Sequence, residues 1–83
     1  MNRPVKILVV DDESSIRESL REWLRGIGYD VAIAEDGARA LELAARDEPD
    51  VVIADLVMPG MDGIELTRRL KESCPDTDVI VVT

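Results

Sequence analysis

Histidine and phenylalanine are absent from this chain of 83 residues, which has one tryptophan, one tyrosine and one cysteine. The lack of histidine excludes His-based catalysis and His metal ligands. The single cysteine, Cys74, excludes a disulfide framework or a cysteine-rich zinc site within one chain, and a reducing cytoplasm is the simplest compartment. With so few aromatic residues, the core must be aliphatic.

Positive charge is also scarce, because 10 Lys and Arg residues face 18 Asp and Glu residues and the net charge is −8. This balance disfavours nonspecific binding to nucleic acid or to an anionic membrane. No apolar stretch approaches the ~20 residues of a membrane span, and the N-terminus lacks the apolar region of a signal peptide. We therefore expect one small cytoplasmic domain that binds neither nucleic acid nor membrane directly.

Short apolar runs alternate with helical patterns along the chain. The runs that predict strands cover 5–10, 31–34, 51–54 and 79–82, and the patterns that predict helices cover 14–27, about 37–46 and about 63–73. This alternation predicts a parallel α/β sheet. Right-handed crossovers then give the strand order 2-1-3-4, with the first helix on one face and the other two on the opposite face.

Three aspartates follow two of these runs: Asp11 and Asp12 the first, and Asp55 the third. Taken singly, each fits a turn residue or helix cap at least as well as a site residue. Together they would converge at the carboxyl edge of the sheet, where open α/β sheets bind ligands. Such a cluster needs a cation or protonation to offset its repulsion, and oxygen-only ligands suit Mg²⁺.

The stretch from Asp55 to Gly63 is more specific, because Met58-Pro59 follows the aspartate and a glycine follows shortly after. With these residues the chain resembles the receiver domain of bacterial two-component response regulators. The features that match are an acidic pair after the first strand, an aspartate after the third, the Met-Pro element, the later glycine and a hydroxyl residue after the fourth strand: Asp11, Asp12, Asp55, Met58, Pro59, Gly63 and Thr83.

The resemblance implies a flavodoxin-like fold and a signalling switch rather than a turnover enzyme. Asp55 would accept a phosphoryl group from a histidine kinase and switch an output domain or downstream protein, often a transcription regulator. Mg²⁺ would be bound directly by Asp12, Asp55 and the main-chain carbonyl of Val57, and largely through water by Asp11. Thr83 would bind a phosphoryl oxygen, although threonine is also common at strand ends.

A complete receiver also has a fifth strand carrying a lysine, and two further helices. We therefore expect residues 1–83 to be the N-terminal part of a single receiver domain, without an output domain. One sheet face, with residues from 51–54 and 79–82, would be bare, and so would the edge of the fourth strand. Self-association through these surfaces is expected.

Two other functions stay open: a phosphorylation-independent interaction module, and a fragment of an enzyme such as a phosphatase with an aspartate nucleophile. Features with structural interpretations are helix caps at Ser14 or Ser15 and at Asp62, and helix stops at Gly26 and Gly28. We expect Trp23 to be buried in the core. We expect the basic residues of the third helix to lie on a solvated face: Arg68, Arg69 and Lys71.

Overall fold

The computed structural model describes residues 3–82, in which four strands and three helices alternate. The strands are β1 (Lys6–Val10), β2 (Asp30–Ala34), β3 (Val51–Asp55) and β4 (Asp78–Val82), and the helices are α1 (Ser14–Ile27), α2 (Gly37–Asp47) and α3 (Gly63–Ser73). Every element differs from its predicted bounds by at most one residue at either end. Thr83 lies outside the described residues.

The four strands are all parallel and lie in the order β2-β1-β3-β4, as predicted. The chain runs outward from β1 to β2 and then crosses back to β3 and β4. At that reversal β1 and β3 become neighbours, with Val10 paired with Ala54 at the carboxyl edge. The fold is thus the flavodoxin-like α/β arrangement predicted for this sequence.

The two faces of the sheet carry separate aliphatic clusters. Beneath α2 and α3, alternate strand residues pack with helix residues: Leu8, Val10, Val52 and Ala54 with Ala40, Leu43, Ala44, Leu66 and Leu70. On the opposite face, Ile7, Val9 and Val31 pack with Leu24 of α1. This confirms the predicted division of the helices and the aliphatic core.

The α1 face is only half covered. Helix α1 lies against β1 and β2, and leaves Val51 and Ile53 of β3 partly exposed. On β4, which pairs only with β3 among the described strands, Ile80 is 51% and Val82 46% exposed. The predicted bare region on β3 and β4 is therefore present.

Trp23 is not a core residue, and that prediction is wrong: the side chain is 65% exposed. Trp23 belongs to an apolar stripe on α1, of which only Leu24 is buried while Ile16 and Ile27 are exposed. Within residues 3–82, no second helix lies beside α1 on its face of the sheet. The part of the stripe that faces away from the sheet, including Trp23, consequently has no second helix to pack against within the described residues.

Helix α1 begins differently from the prediction. Its N-cap is Glu13, without a side-chain cap bond, so that Ser14 and Ser15 are already helical. The Glu13 amide instead donates to Oδ1 of Asp11 at 2.9 Å, which moves the turn ahead of the serines. The helix ends as predicted at Gly28, whose φ of 121° favours glycine and whose amide donates to the carbonyls of Leu24 and Arg25.

The cap predicted for α3 is confirmed, because Oδ1 of Asp62 accepts from the Glu65 amide at 2.9 Å. Hydrogen bonds from Arg68 and then Arg69 lower the pKa of Glu65 to about 2. Both arginines and Lys71 are exposed, as predicted. None of the helices within residues 3–82 is long and apolar enough to cross a bilayer.

Leu70 and Ile64 provide a matched test of this packing on one helix. Leu70 is fully buried, whereas Ile64 is 67% exposed. Leu70→Ala should lower the free energy of unfolding by about 2–5 kcal/mol, because it leaves a cavity. Ile64→Ala should change it by less than about 0.5 kcal/mol, as is usual at exposed positions. Urea unfolding of both variants measures the difference, and equal losses would contradict the arrangement of α3.

Candidate functional site

The carboxyl edge of the sheet brings the predicted aspartates together. Because Val10 of β1 is paired with Ala54 of β3, the residues that follow these two positions emerge side by side. Those residues are Asp11 and Asp12 after β1, and Asp55 at the end of β3. Pairing of two parallel strands is therefore sufficient to assemble the cluster.

The three carboxylates form one compact group. Each contributes an oxygen atom, and the three oxygens lie within 4.8 Å of one another. Asp11 is buried, Asp55 is partly buried and Asp12 is exposed, so the group opens from the sheet edge toward solvent. Within residues 3–82, no lysine or arginine side chain forms an ion pair with these carboxylates.

Local hydrogen bonds orient two of the three side chains. Oδ1 of Asp11 accepts from the Glu13 amide at 2.9 Å, and Oδ1 of Asp55 accepts from the Val57 amide at 3.1 Å. Both are Asx turns, in which an aspartate binds the backbone two residues later. The interpretation of Asp11 and Asp55 as turn residues thus applies, and it is compatible with a site because each hydrogen bond occupies only one carboxylate oxygen.

Arg17 is a contributor that the sequence pattern did not reveal. Its guanidinium donates to the main-chain carbonyl of Asp11 at 2.7 Å and so ties the first turn of α1 to the end of β1. Nothing in the spacing of an arginine six residues after an aspartate predicts such a bond. Because the acceptor is the carbonyl oxygen, Arg17 occupies neither oxygen of the Asp11 side chain, and Oδ2 is left for other partners.

The connection from β3 to α3, residues 56–62, begins beside the cluster, where the Val57 amide donates to Oδ1 of Asp55. It is closed at its base by the Gly63 amide, which donates to the Leu56 carbonyl at 2.9 Å. A Cβ at Gly63 would lie 2.7 Å from the carbonyl oxygen of Asp55. This approach is too close for any side chain, which explains why the motif ends in glycine here.

Val57 begins this connection and is 75% exposed. The hydrogen bond from its backbone amide to Asp55 holds the main chain of Val57, the predicted carbonyl ligand, next to the cluster. Met58 is buried in the core beneath the loop, and Pro59 follows it. Thr83, the predicted phosphoryl-binding residue, lies outside the described residues.

The donor set fits a hard divalent cation. Three carboxylates in one place repel each other, and a cation between them would offset that repulsion. All the donors are oxygens, which is the preference of Mg²⁺, and Mg²⁺ commonly keeps several waters while binding few carboxylates. The partial exposure of the group leaves room for such waters.

Comparisons with known proteins agree with this geometry. Residues 7–83 match the family described as the response regulator receiver domain. The response regulator MprA of Mycolicibacterium vanbaalenii is 49% identical over 80 residues, which cover 96% of this chain and 35% of that protein. The chain therefore spans about a third of the length of the curated relatives it matches.

Solved structures show the same fold. The chemotaxis protein CheY4 of Vibrio cholerae superposes with a TM-score of 0.90 at 34% identity, over 95% of this chain and 68% of that one. The response regulator domain of Thermotoga maritima CheB gives a TM-score of 0.88 at 33% identity, over 95% of this chain and 60% of that one.

A parallel sheet with an acidic cluster at its carboxyl edge and a Met-Pro loop beside it defines a receiver-type α/β module. The chain belongs to the response regulator receiver domain family. The predicted resemblance is thus confirmed. The fold and family point to two-component signalling.

Proposed function

We propose that Asp55 is the phosphoacceptor of a two-component signalling switch, with Mg²⁺ bound by Asp11, Asp12, Asp55 and the Val57 carbonyl. The single observation that carries the proposal is the convergence of three carboxylates within 4.8 Å at the edge where Asp55 ends β3. Bound Mg²⁺ would offset the repulsion between the carboxylates and the phosphoryl donor and stabilise charge in the transition state.

The reaction is a transfer between two nucleophiles. An oxygen of the Asp55 carboxylate forms a bond to phosphorus, and the bond from phosphorus to the donor's histidine nitrogen breaks, leaving its electron pair on that nitrogen. The product is an aspartyl phosphate. Asp55 is suited to this role because it is partly exposed and its second oxygen is not used in the bond to Val57.

Membership of the family supports the following partners and setting. The donor would be a cytoplasmic histidine kinase, and the recipient of the signal would be an output domain or downstream protein, as in a transcription regulator. The segment itself would be neither a turnover enzyme nor a direct nucleic-acid binder. The excess negative charge supports the last point, since the net charge is −8.

The two alternatives make different demands on the site around Asp55. An interaction module independent of phosphorylation would bind its partner equally well without Asp55. A phosphatase would need a general acid and a substrate-positioning element near the cluster. The described residues supply no histidine and no ion-paired cation there, which favours the signalling switch.

The metal site is tested by removing one carboxylate. Asp12→Ala should abolish most Mg²⁺ binding, since Asp12 is the exposed member of the cluster and a direct ligand in this proposal. Binding to the unaltered chain should itself be weak, because Mg²⁺ retains several waters. Calorimetric titration measures the affinity. Asp76→Ala serves as a control that removes the same charge from an exposed position in the turn before β4. Equal affinity for the Asp12 variant and the unaltered chain would contradict the site.

Phosphorylation is tested with acetyl phosphate and Mg²⁺. Intact mass should show one phosphoryl group on the chain and none on Asp55→Asn. Asp62→Asn is a matched control, because asparagine also caps a helix and the change leaves the cluster intact. Phosphorylation of the Asp55 variant at the normal rate would exclude Asp55 as the acceptor.

The rate should also be low for residues 1–83 tested by themselves. Lys6 binds the carbonyl of Asp47 and Lys71 binds that of Thr77, so neither described lysine reaches the cluster. When one positioned hydrogen-bond donor to the charge that develops in the transition state is missing, the rate commonly falls by roughly a hundred- to thousandfold. A rate equal to that of an intact receiver would show that no further cation is needed.

We also propose that these residues, as an isolated chain, associate with a second copy. The outer edge of β4, which pairs with no other strand among the described residues, and the exposed Ile80 and Val82 form one apolar surface. Covering roughly 500 Å² of such surface would gain on the order of 12 kcal/mol before the costs of association. That gain is comparable to the stability of a domain.

Sedimentation velocity at micromolar concentration should therefore show a dimer. Ile80→Lys should shift the chain toward monomer, because it places a charge on the outer strand at a position 51% exposed. Ile64→Lys, at a position 67% exposed on α3, should leave the dimer unchanged. A compact monomer that melts cooperatively, formed by the unaltered chain at this concentration, would rule out this association.

A further inference from the structure

The β3–α3 loop, residues 56–62, carries the Val57 main chain and is anchored at several points. At its base, the Leu56 amide donates to the Val82 carbonyl at 2.8 Å and the Gly63 amide to the Leu56 carbonyl at 2.9 Å. In its first half, Met58 is buried in the core. The second half of the loop carries Met61, which is partly buried and packs against the same core.

The Met61 side chain packs directly against the backbone of α2. A Cβ built on Gly37, the first residue of that helix, would lie 2.8 Å from Sδ and 2.9 Å from Cβ of Met61. Gly37 is buried, and among the described glycines only Gly28 and Gly60 have a positive φ. Gly37 is therefore required for space and not for an unusual backbone conformation.

The first turn of α2, against which Met61 packs, is held in place by a helix cap and by burial. Oδ1 of Asp36, the N-cap of α2, accepts from the Arg39 amide at 2.8 Å. Ala40, in the first turn of the same helix, is completely buried in the core. An atom added at Gly37 would consequently displace Met61 and the loop more readily than it would displace the helix.

We propose that Gly37 and Met61 are a pair of positioning residues for the acidic site. Their contact holds the β3–α3 loop against α2 and thereby keeps the main chain of Val57 beside Asp55. This inference rests on the proposed metal-binding function, because it assigns the pair an effect on the affinity for Mg²⁺. The contact between Gly37 and Met61 should hold the loop in the metal-free chain as well.

The test begins with Gly37→Ala in the whole 83-residue chain. In the metal-free protein, the added methyl group should shift the backbone amide resonances of residues 56–62, including the Val57 amide that binds Asp55. Affinity for Mg²⁺ should fall by about tenfold or more, which is typical when support for metal ligands is lost. Gly26→Ala is the control, since a Cβ there has nothing within 4 Å and should leave both readouts unchanged.

A double-mutant cycle with Met61→Ala shows whether the two residues act through one contact. Removing Sδ and Cγ of Met61 takes away two of the three atoms that the new methyl group would meet. Gly37→Ala should then cost less Mg²⁺ affinity in the Met61→Ala background than in the unaltered chain. Additive losses would overturn the proposal, as would a Gly37→Ala protein with a lowered melting temperature but unchanged loop amides and affinity.

The outcomes separate this inference from the proposed function. If the unaltered chain binds no Mg²⁺, the proposed metal site is wrong, and so is the assignment of Gly37 and Met61 to that site. Shifted loop amide resonances in the metal-free Gly37→Ala variant would still show that the contact positions the loop. If the chain binds Mg²⁺ and the Gly37 variant binds it equally well, only the inference fails. Should Gly37→Ala not fold, Met61→Ala alone must weaken binding for the proposal to stand.

Discussion

The parallel pairing of β1 with β3 is the constraint on which the rest of this structure depends. Because Val10 is paired with Ala54, the two strands reach the carboxyl edge of the sheet at the same level. Asp11 and Asp12 therefore lie beside Asp55. This pairing exists because the chain reverses its direction across the sheet after β2, which places the first helix on one face and the next two on the other. The same reversal therefore creates the acidic site and leaves the β3–β4 part of one face uncovered.

Holding three carboxylates together costs energy, and the surrounding backbone limits that cost. Asp11 and Asp55 each accept a hydrogen bond from an amide two residues ahead, and Arg17 secures the carbonyl of Asp11. Charge-assisted bonds to amides stabilise carboxylates, but no cation is paired with the cluster within residues 3–82. The residual repulsion is what a divalent ion would relieve, and this links the fold to the proposed chemistry.

The sequence predicted the elements, the strand order and the acidic cluster because those depend on local patterns and on the handedness of crossovers. The sequence did not predict features that depend on contacts with other parts of the structure. The helical spacing of Trp23 marks an apolar stripe but does not show whether a second helix covers it. The start of α1 depends on a hydrogen bond from the Glu13 amide to Asp11, and both serines lie inside the helix. The contact of Gly37 with Met61 joins the first residue of α2 to a loop that is distant in sequence.

The central claim is that the cluster binds a phosphoryl group on Asp55 only together with a divalent cation. Fluorine NMR of the chain with beryllofluoride, a phosphoryl mimic, tests it most directly. Bound fluoride resonances should appear with Mg²⁺ present, and they should be absent without it and absent from Asp55→Asn. Resonances of equal intensity without Mg²⁺, or with Asp55 replaced, would contradict the account.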